Sequence, residues 1–205
     1  CFEEHVPSLC RMLSHDQFDG VAKAMMTTDA FPKMCGRTIN IDGQEVRLLG
    51  LAKGAGMIHP DMATMLAFVV TDAVLADGLL DAALRQSVNA SFNRITVDRD
   101  TSTNDMVLLL ASGDAENREI IEGSAALGQF CGALNEIMLE LAKMIVRDGE
   151  GATKLVRIQI NGAANDEDAL AAARSVATSQ LVKTAFFGED ANWGRIIAAV
   201  GYSGA

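Results

Sequence analysis

Thr64 stands where a run of small and turn-forming residues gives way to an apolar one. The first run, Lys53-Gly54-Ala55-Gly56-Met57-Ile58-His59-Pro60-Asp61-Met62-Ala63, contains glycines and a proline that keep it out of regular helix. The second, Met65 to Val70, reads as a buried strand. Ala63 is small and leaves room around the peptide bond that follows it. A threonine hydroxyl is a weak nucleophile near neutral pH and needs a base. If the Ala63-Thr64 bond were cut, the freed α-amine of Thr64, with an ordinary pKa of about 8, would supply that base from the same residue. The plainer reading is a β-branched residue opening a strand.

The elements that must position this junction follow from periodicity. Phe18, Val21, Ala22 and Met25 recur at helical spacing, with Ser14 or Asp16 available as the cap, and the helix ends near Thr27. Thr27, Thr28 and Asp29 then form a polar cluster that suits a turn or a cleft wall. Arg37 to Ile41 and Gln44 to Leu49 flank Asp42-Gly43, which predicts a type I′ hairpin leading into the central loop. After Thr71, the stripe Leu80, Leu84, Val88, Phe92 and Ile95 predicts a helix of about five turns. The hydroxyl- and carboxylate-rich run from Thr96 to Asp105, which suits a hydrogen-bonded turn network or the lining of an active cleft, precedes a strand at Met106 to Ala111; neither Asp100 nor Asp105 is assigned a chemical role. Phe130, Leu134, Ile137, Met138, Leu141 and Ile145 mark a long helix from Ala125 to Val146, with methionine as core filling. Gly149 and Gly151 break it and put Glu150 on an exposed turn. A strand at Leu155 to Ile160, a helix from Asp166 to Gln180, and a short helix or strand at Ile196 to Val200 complete the order. Strands alternating with long helices predict an α/β or α+β sandwich.

Length and composition narrow the function classes. A chain of 205 residues with 49% apolar and 21% charged residues can bury a real core, as one large domain or two small ones. No composition break places an internal boundary. A net charge of −10 supplies no basic footprint for nucleic acid. No apolar run is long enough to span a membrane and no secretory leader opens the chain, which reads as soluble and intracellular. Cys1, Cys10, Cys35 and Cys131 are too scattered for a disulfide scaffold and are expected as reduced core thiols.

Two other chemistries fail on spacing. Cys1, His5, Cys10 and His15 lack the tight Cys-x-x-Cys hook of small zinc modules. Lys53-Gly54-Ala55-Gly56 looks like a phosphate cradle, but Met-Ile-His-Pro follows where a P-loop needs Gly-Lys-Ser/Thr opening a helix. His59 is either a base within the loop or a solvent-facing side chain.

The segment Lys53 to Leu66 resembles the self-cleavage and nucleophile segment of ornithine acetyltransferases, the bifunctional glutamate N-acetyltransferases of arginine biosynthesis. Met26-Thr27-Thr28-Asp29 with Phe31-Pro32-Lys33, Thr101 to Asp105, Asp148 to Lys154 and Phe187 to Arg195 resemble further motifs of that family, in family order. The resemblance implies cleavage between Ala63 and Thr64, catalysis by Thr64 through an acetyl ester, and substrate contacts from Thr27, Lys53, Thr64 and Glu150. By charge, Lys53 suits a substrate carboxylate and Glu150 the side-chain ammonium of ornithine. It implies acetyl passing from N-acetylornithine to glutamate, acetyl-CoA as a donor in some members, no metal or organic cofactor, a cytoplasmic setting and an oligomer of cleaved chain pairs. The implied fold is a layered sandwich like that of N-terminal-nucleophile hydrolases, of which residues 1–205 form the central part.

Members carry a Thr-Gly oxyanion pair upstream that has no match here and commonly have Asn where Asp61 stands. A carboxylate there would slow cleavage or make it pH-dependent. An amidase or aminopeptidase on a related self-processing fold, with water as acceptor, and a non-catalytic scaffold are the alternative readings.

Overall fold

Asp42 and Gly43 both take positive φ, 51° and 91°, the backbone of a two-residue type I′ connection. They join β1 (Lys33–Ile41) to β2 (Gln44–Lys53), antiparallel from Lys33 opposite Ala52 to Ile41 opposite Gln44. The hairpin forms where Asp-Gly predicts it, but it begins at Lys33 rather than Arg37 and ends at Lys53 rather than Leu49. That extension carries β2 up to the central loop. The computed structural model describes residues 2–14, 16–59 and 65–205, so Asp61, Ala63 and Thr64 lie outside the described residues.

The chain returns as β3 (Leu66–Thr71), antiparallel to β2, and β4 (Met106–Ala111) adds parallel to β3, giving the order β1-β2-β3-β4. A parallel neighbour needs a long crossover, supplied here through α3 (Leu79–Ala90). The helix ends earlier than the apolar stripe predicts. Ser91 Oγ donates to Ser87 O at 2.6 Å and its backbone leaves the helical region, so Phe92–Arg94 follows as a 3-10 turn.

One face of the sheet packs on α4 (Ala125–Arg147), whose N-cap Ser124 accepts from Leu127 N. The predicted stripe is the buried one: Phe130, Leu134, Ile137, Met138, Leu141 and Ile145 are all fully buried. Contact is close enough that a Cβ on Gly50 would lie 2.4 Å from Ile137 Cγ2 and 2.9 Å from Leu141 Cδ1. Gly50→Ala is therefore expected to destabilise the fold by about 1–3 kcal/mol through overpacking, measured as a lower urea midpoint. Ile137→Ala removes the Cγ2 in the way, so the double variant should lose less stability than the sum of the two single losses. After α1 (Phe2–Arg11), α2 (Phe18–Met25) covers the opposite face over β1 and β2. Further along, Met106, Leu108 and Leu110 stay 37%, 37% and 55% exposed.

Three expectations change. Residues 155–160 form no strand, because no strand among the described residues lies beside them to complete their backbone hydrogen bonds. The helix expected from Asp166 to Gln180 is two, α5 (Asp166–Thr178) and α6 (Gln180–Phe187), since Ser179 leaves the helical region and caps the second through Val182 N. The cysteines are not all core thiols: Cys10 is exposed, while Cys35 and Cys131 are half-buried and free. The last segment is helical, α7 (Trp193–Gly201), and packs with α5 and α6 around a small second core of Val176, Val182 and Ala199. Among the described residues no helix is long and apolar enough to cross a membrane.

Candidate active site

Carboxylates take the backbone amides of the loop that leaves β2 at Gly54, Met57 and Ile58. Gly54 N donates to Asp29 Oδ1 at 2.7 Å. Met57 N and Ile58 N donate to the two oxygens of Asp98 at 2.7 and 3.0 Å. Met57 takes a positive φ of 52°, a backbone that a side chain disfavours, and the paired bonds from Asp98 hold it there. Val97 N donates to Ile58 O at 2.8 Å. Thr96 Oγ1 lies 3.3 Å from Ile58 O and 3.1 Å from His59 Nδ1, so one hydroxyl ties the loop carbonyl and the ring together. His59 is thus a half-buried, engaged residue rather than a solvent-facing one.

Lys53 ends β2 opposite Leu66, and Leu66 lies beside Met106. This register brings the loop's start, the residue after Thr64 and the end of the polar run to the same end of three adjacent strands. There Met65 N donates to Asp105 Oδ1 at 2.8 Å. Burial pushes the Asp105 carboxyl up to about 6, and the Met65 amide and the nearby Lys53 charge offset only part of that rise.

Glu150 arrives from the other direction, where the buried stripe of α4 fixes its C-terminal end. Glu150 N donates to Ala55 O at 2.9 Å. Its exposed carboxylate lies against the loop: a Cβ on Gly56 would come within 2.9 Å of Glu150 Oε1. Thr27 is exposed beyond α2, and its N–H donates at 3.1 Å to Asp29, the same carboxylate that holds Gly54. Thr27, Lys53 and Glu150 are therefore gathered around one loop. Ala63 and Thr64 follow in sequence and lie outside the described residues.

Beneath the loop, Lys33 is wholly buried between two carboxylates, Nζ lying 2.6 Å from Asp29 Oδ1 and 2.5 Å from Asp148 Oδ2. Asp148 also accepts from Ala30 N. Burial opposes charge on Asp29, but hydrogen bonds from the Gly54 amide, the Lys33 ammonium and the Thr27 amide outweigh it and hold its pKa below the ordinary carboxylate value. The cluster ties the end of α4 to the segment after α2 and to the loop. Sequence reasoning missed Asp29, Lys33, Asp98, Asp105 and Asp148 as site builders. For all but Asp98, the usable signal was their place inside the matched motifs; no spacing shows which distant backbone amide a carboxylate will meet.

The last motif does structural work. Asn192 caps α7 through Arg195 N, Arg195 Nη1 binds Leu181 O and Thr184 Oγ1, and Glu189 pairs with Lys154 at 3.0 Å.

Known proteins place this arrangement in a family. The profile of the ArgJ family matches residues 1–205. An arginine biosynthesis bifunctional protein ArgJ from Syntrophotalea carbinolica is 61% identical over 201 residues, covering 98% of this chain and 51% of that protein. The mitochondrial counterpart of Schizosaccharomyces pombe is 50% identical, over 94% of this chain and 43% of its own. The crystal structure of an arginine biosynthesis bifunctional protein from Bacillus halodurans is 54% identical with a TM-score of 0.65, covering 67% of this chain and 65% of that one. The chain spans about half the length of the curated relatives it matches.

Proposed function

The chain belongs to the ArgJ family, and from this premise we propose that residues 1–205 form the central part of a glutamate N-acetyltransferase of arginine biosynthesis that cleaves itself between Ala63 and Thr64. The Thr64 hydroxyl attacks the acetyl carbonyl of N-acetylornithine, its proton passing to the α-amine freed by cleavage. The carbon–nitrogen bond breaks and ornithine leaves carrying that proton. The α-amine of glutamate then attacks the acetyl ester, returning the hydroxyl to Thr64 and releasing N-acetylglutamate. Acetyl-CoA can feed the same ester. The enzyme works in the cytoplasm as an oligomer of cleaved chain pairs.

The observation that carries this reading is the gathering of Lys53, Glu150 and Thr27 around the loop that leads into Thr64. Lys53 meets the substrate α-carboxylate and Glu150 the side-chain ammonium of ornithine, with Thr27 beside them. A wall holding one cation and one anion suits an amino acid that presents both charges.

The test supplies N-acetylornithine to the full-length protein with and without glutamate. Formation of N-acetylglutamate that depends on glutamate supports transfer, whereas equal ornithine release with acetate in its absence identifies an amidase. Glu150→Gln removes a charge-assisted contact of about 1.5–3 kcal/mol. It should weaken ornithine as acetyl acceptor about 10- to 100-fold and glutamate much less; an equal loss for both would remove Glu150 from this role.

A further inference from the structure

Asp105 is a carboxylate that the acetyl-transfer scheme above leaves unused. The nitrogen it holds, Met65 N, is bonded to the carbonyl carbon of Thr64, so Asp105 grips the peptide unit carrying the proposed nucleophile. Met106 N holds the other side of the same residue, donating to Met65 O at 3.2 Å. The second contact is what a parallel strand pair makes anyway, whereas the first is made by a side chain. Met65 itself is only 4% exposed, so the backbone immediately after Thr64 is pinned at both its N–H and its C=O.

Asp105 is also an expensive way to satisfy one amide. Its Oδ2 is buried and has no hydrogen-bond partner among the described residues. Burying a carboxylate oxygen without a donor costs stability, and a neutral acceptor would satisfy Met65 N without that cost. The one charge among the described residues that acts on Asp105 is Lys53, at the end of β2 on the far side of β3. Lys53 is the cation assigned above to the substrate carboxylate. A side chain that costs stability beside a reacting group points to function rather than to folding.

We propose that Asp105 is a positioning residue for Thr64: its ionised carboxylate fixes the Thr64–Met65 peptide for self-cleavage and for acetyl transfer, and it shares Lys53 with the incoming substrate. The inference rests on the reading of Thr64 as nucleophile. Charge matters because an ionised acceptor binds an amide about twice as strongly as a neutral one. Protonation of Asp105 loosens that grip, so activity rises as pH climbs through the value at which Asp105 ionises, about 6.

The experiment compares the full-length parent with Asp105→Asn and Asp105→Ala. Cleavage is read by denaturing intact mass, kcat and KM for acetyl transfer from pH 5 to 8, and stability by thermal unfolding at pH 7.5. Asn is isosteric and keeps a carbonyl for Met65 N. It should lower kcat at pH 7.5 by about tenfold or more, by the difference between a charged and a neutral acceptor. KM for the donor should change less, the activity limb near pH 6 should vanish, and Tm at pH 7.5 should equal or exceed the parent's. A residue serving only the fold would lower Tm and leave the pH limb in place. A cleaved parent with an Asn variant that keeps its kcat and its pH limb overturns the role of Asp105 alone. An uncut parent indistinguishable from Thr64→Ala overturns the nucleophile and Asp105 with it. The Ala variant answers to the same criteria if the Asn variant does not fold.

Discussion

Replacing Thr64 with alanine is expected to leave one unbroken chain and to lower acetyl transfer by about a thousandfold or more, because one residue supplies the nucleophile, the freed amine that serves as its base, and the cleavage that frees it. Denaturing intact mass should show two pieces meeting at Ala63-Thr64 in the parent and one in the variant. The loop before the junction offers no substitute. Its described residues, Gly54 to His59, carry no hydroxyl side chain, and the Thr96 hydroxyl beside His59 is engaged with Ile58 O. A single chain in both proteins would turn attention to Asp61. If Asp61→Asn then restored cleavage, the carboxylate would be the block; if it did not, a scaffold that keeps the fold without the chemistry would be the better reading.

Lys33→Met is expected to be the most destabilising single change in the described part of the chain, by about 3–5 kcal/mol. The substitution roughly preserves volume but leaves two carboxylates facing each other where the side chains of Asp29 and Asp148 are 0% and 5% exposed. Urea unfolding measures the loss. Combining it with Asp29→Asn should recover part of it, since an amide oxygen still accepts from Gly54 N without the charge.

The acid limb gives a second readout. Asp29 has a folded pKa below its unfolded value, so the stability it contributes is complete above the ordinary carboxylate value and is lost as pH falls through the lowered one. In Lys33→Met that window should narrow. Asp105 acts with the opposite sign. Its folded pKa is raised, so the folded state holds the extra proton between 3.8 and about 6, and stability falls as pH rises through that window. Asp105→Asn should remove this second effect without touching the first.

Much of the scaffold was legible because local signals and burial agree. Asp42-Gly43 is a turn that needs two positive φ angles, and β1 and β2 close around it. The stripe from Phe130 to Ile145 repeats at helical spacing and is buried along its length. Where local and tertiary demands diverge, the reading failed. Residues 155–160 have strand composition, but a strand requires a neighbour and the described residues provide none beside it. The apolar stripe runs on to Ile95, yet the hydroxyl of Ser91 turns back onto Ser87 and ends the helix.

By itself the sequence determined which chemistry is available: a hydroxyl placed after a small residue, a lysine and a glutamate of opposite charge, and motifs whose order names the family. Covalent order carries that information directly. Only the tertiary structure decided which groups hold those residues in place. Asp29 meets Gly54, Asp98 meets Met57 and Ile58, Asp105 meets Met65 and Asp148 meets Lys33, each across a separation that sheet register and the packing of α4 must close. A buried carboxylate takes whichever donor the fold brings to it, and that choice is made by strand register and core packing rather than by its neighbours in sequence.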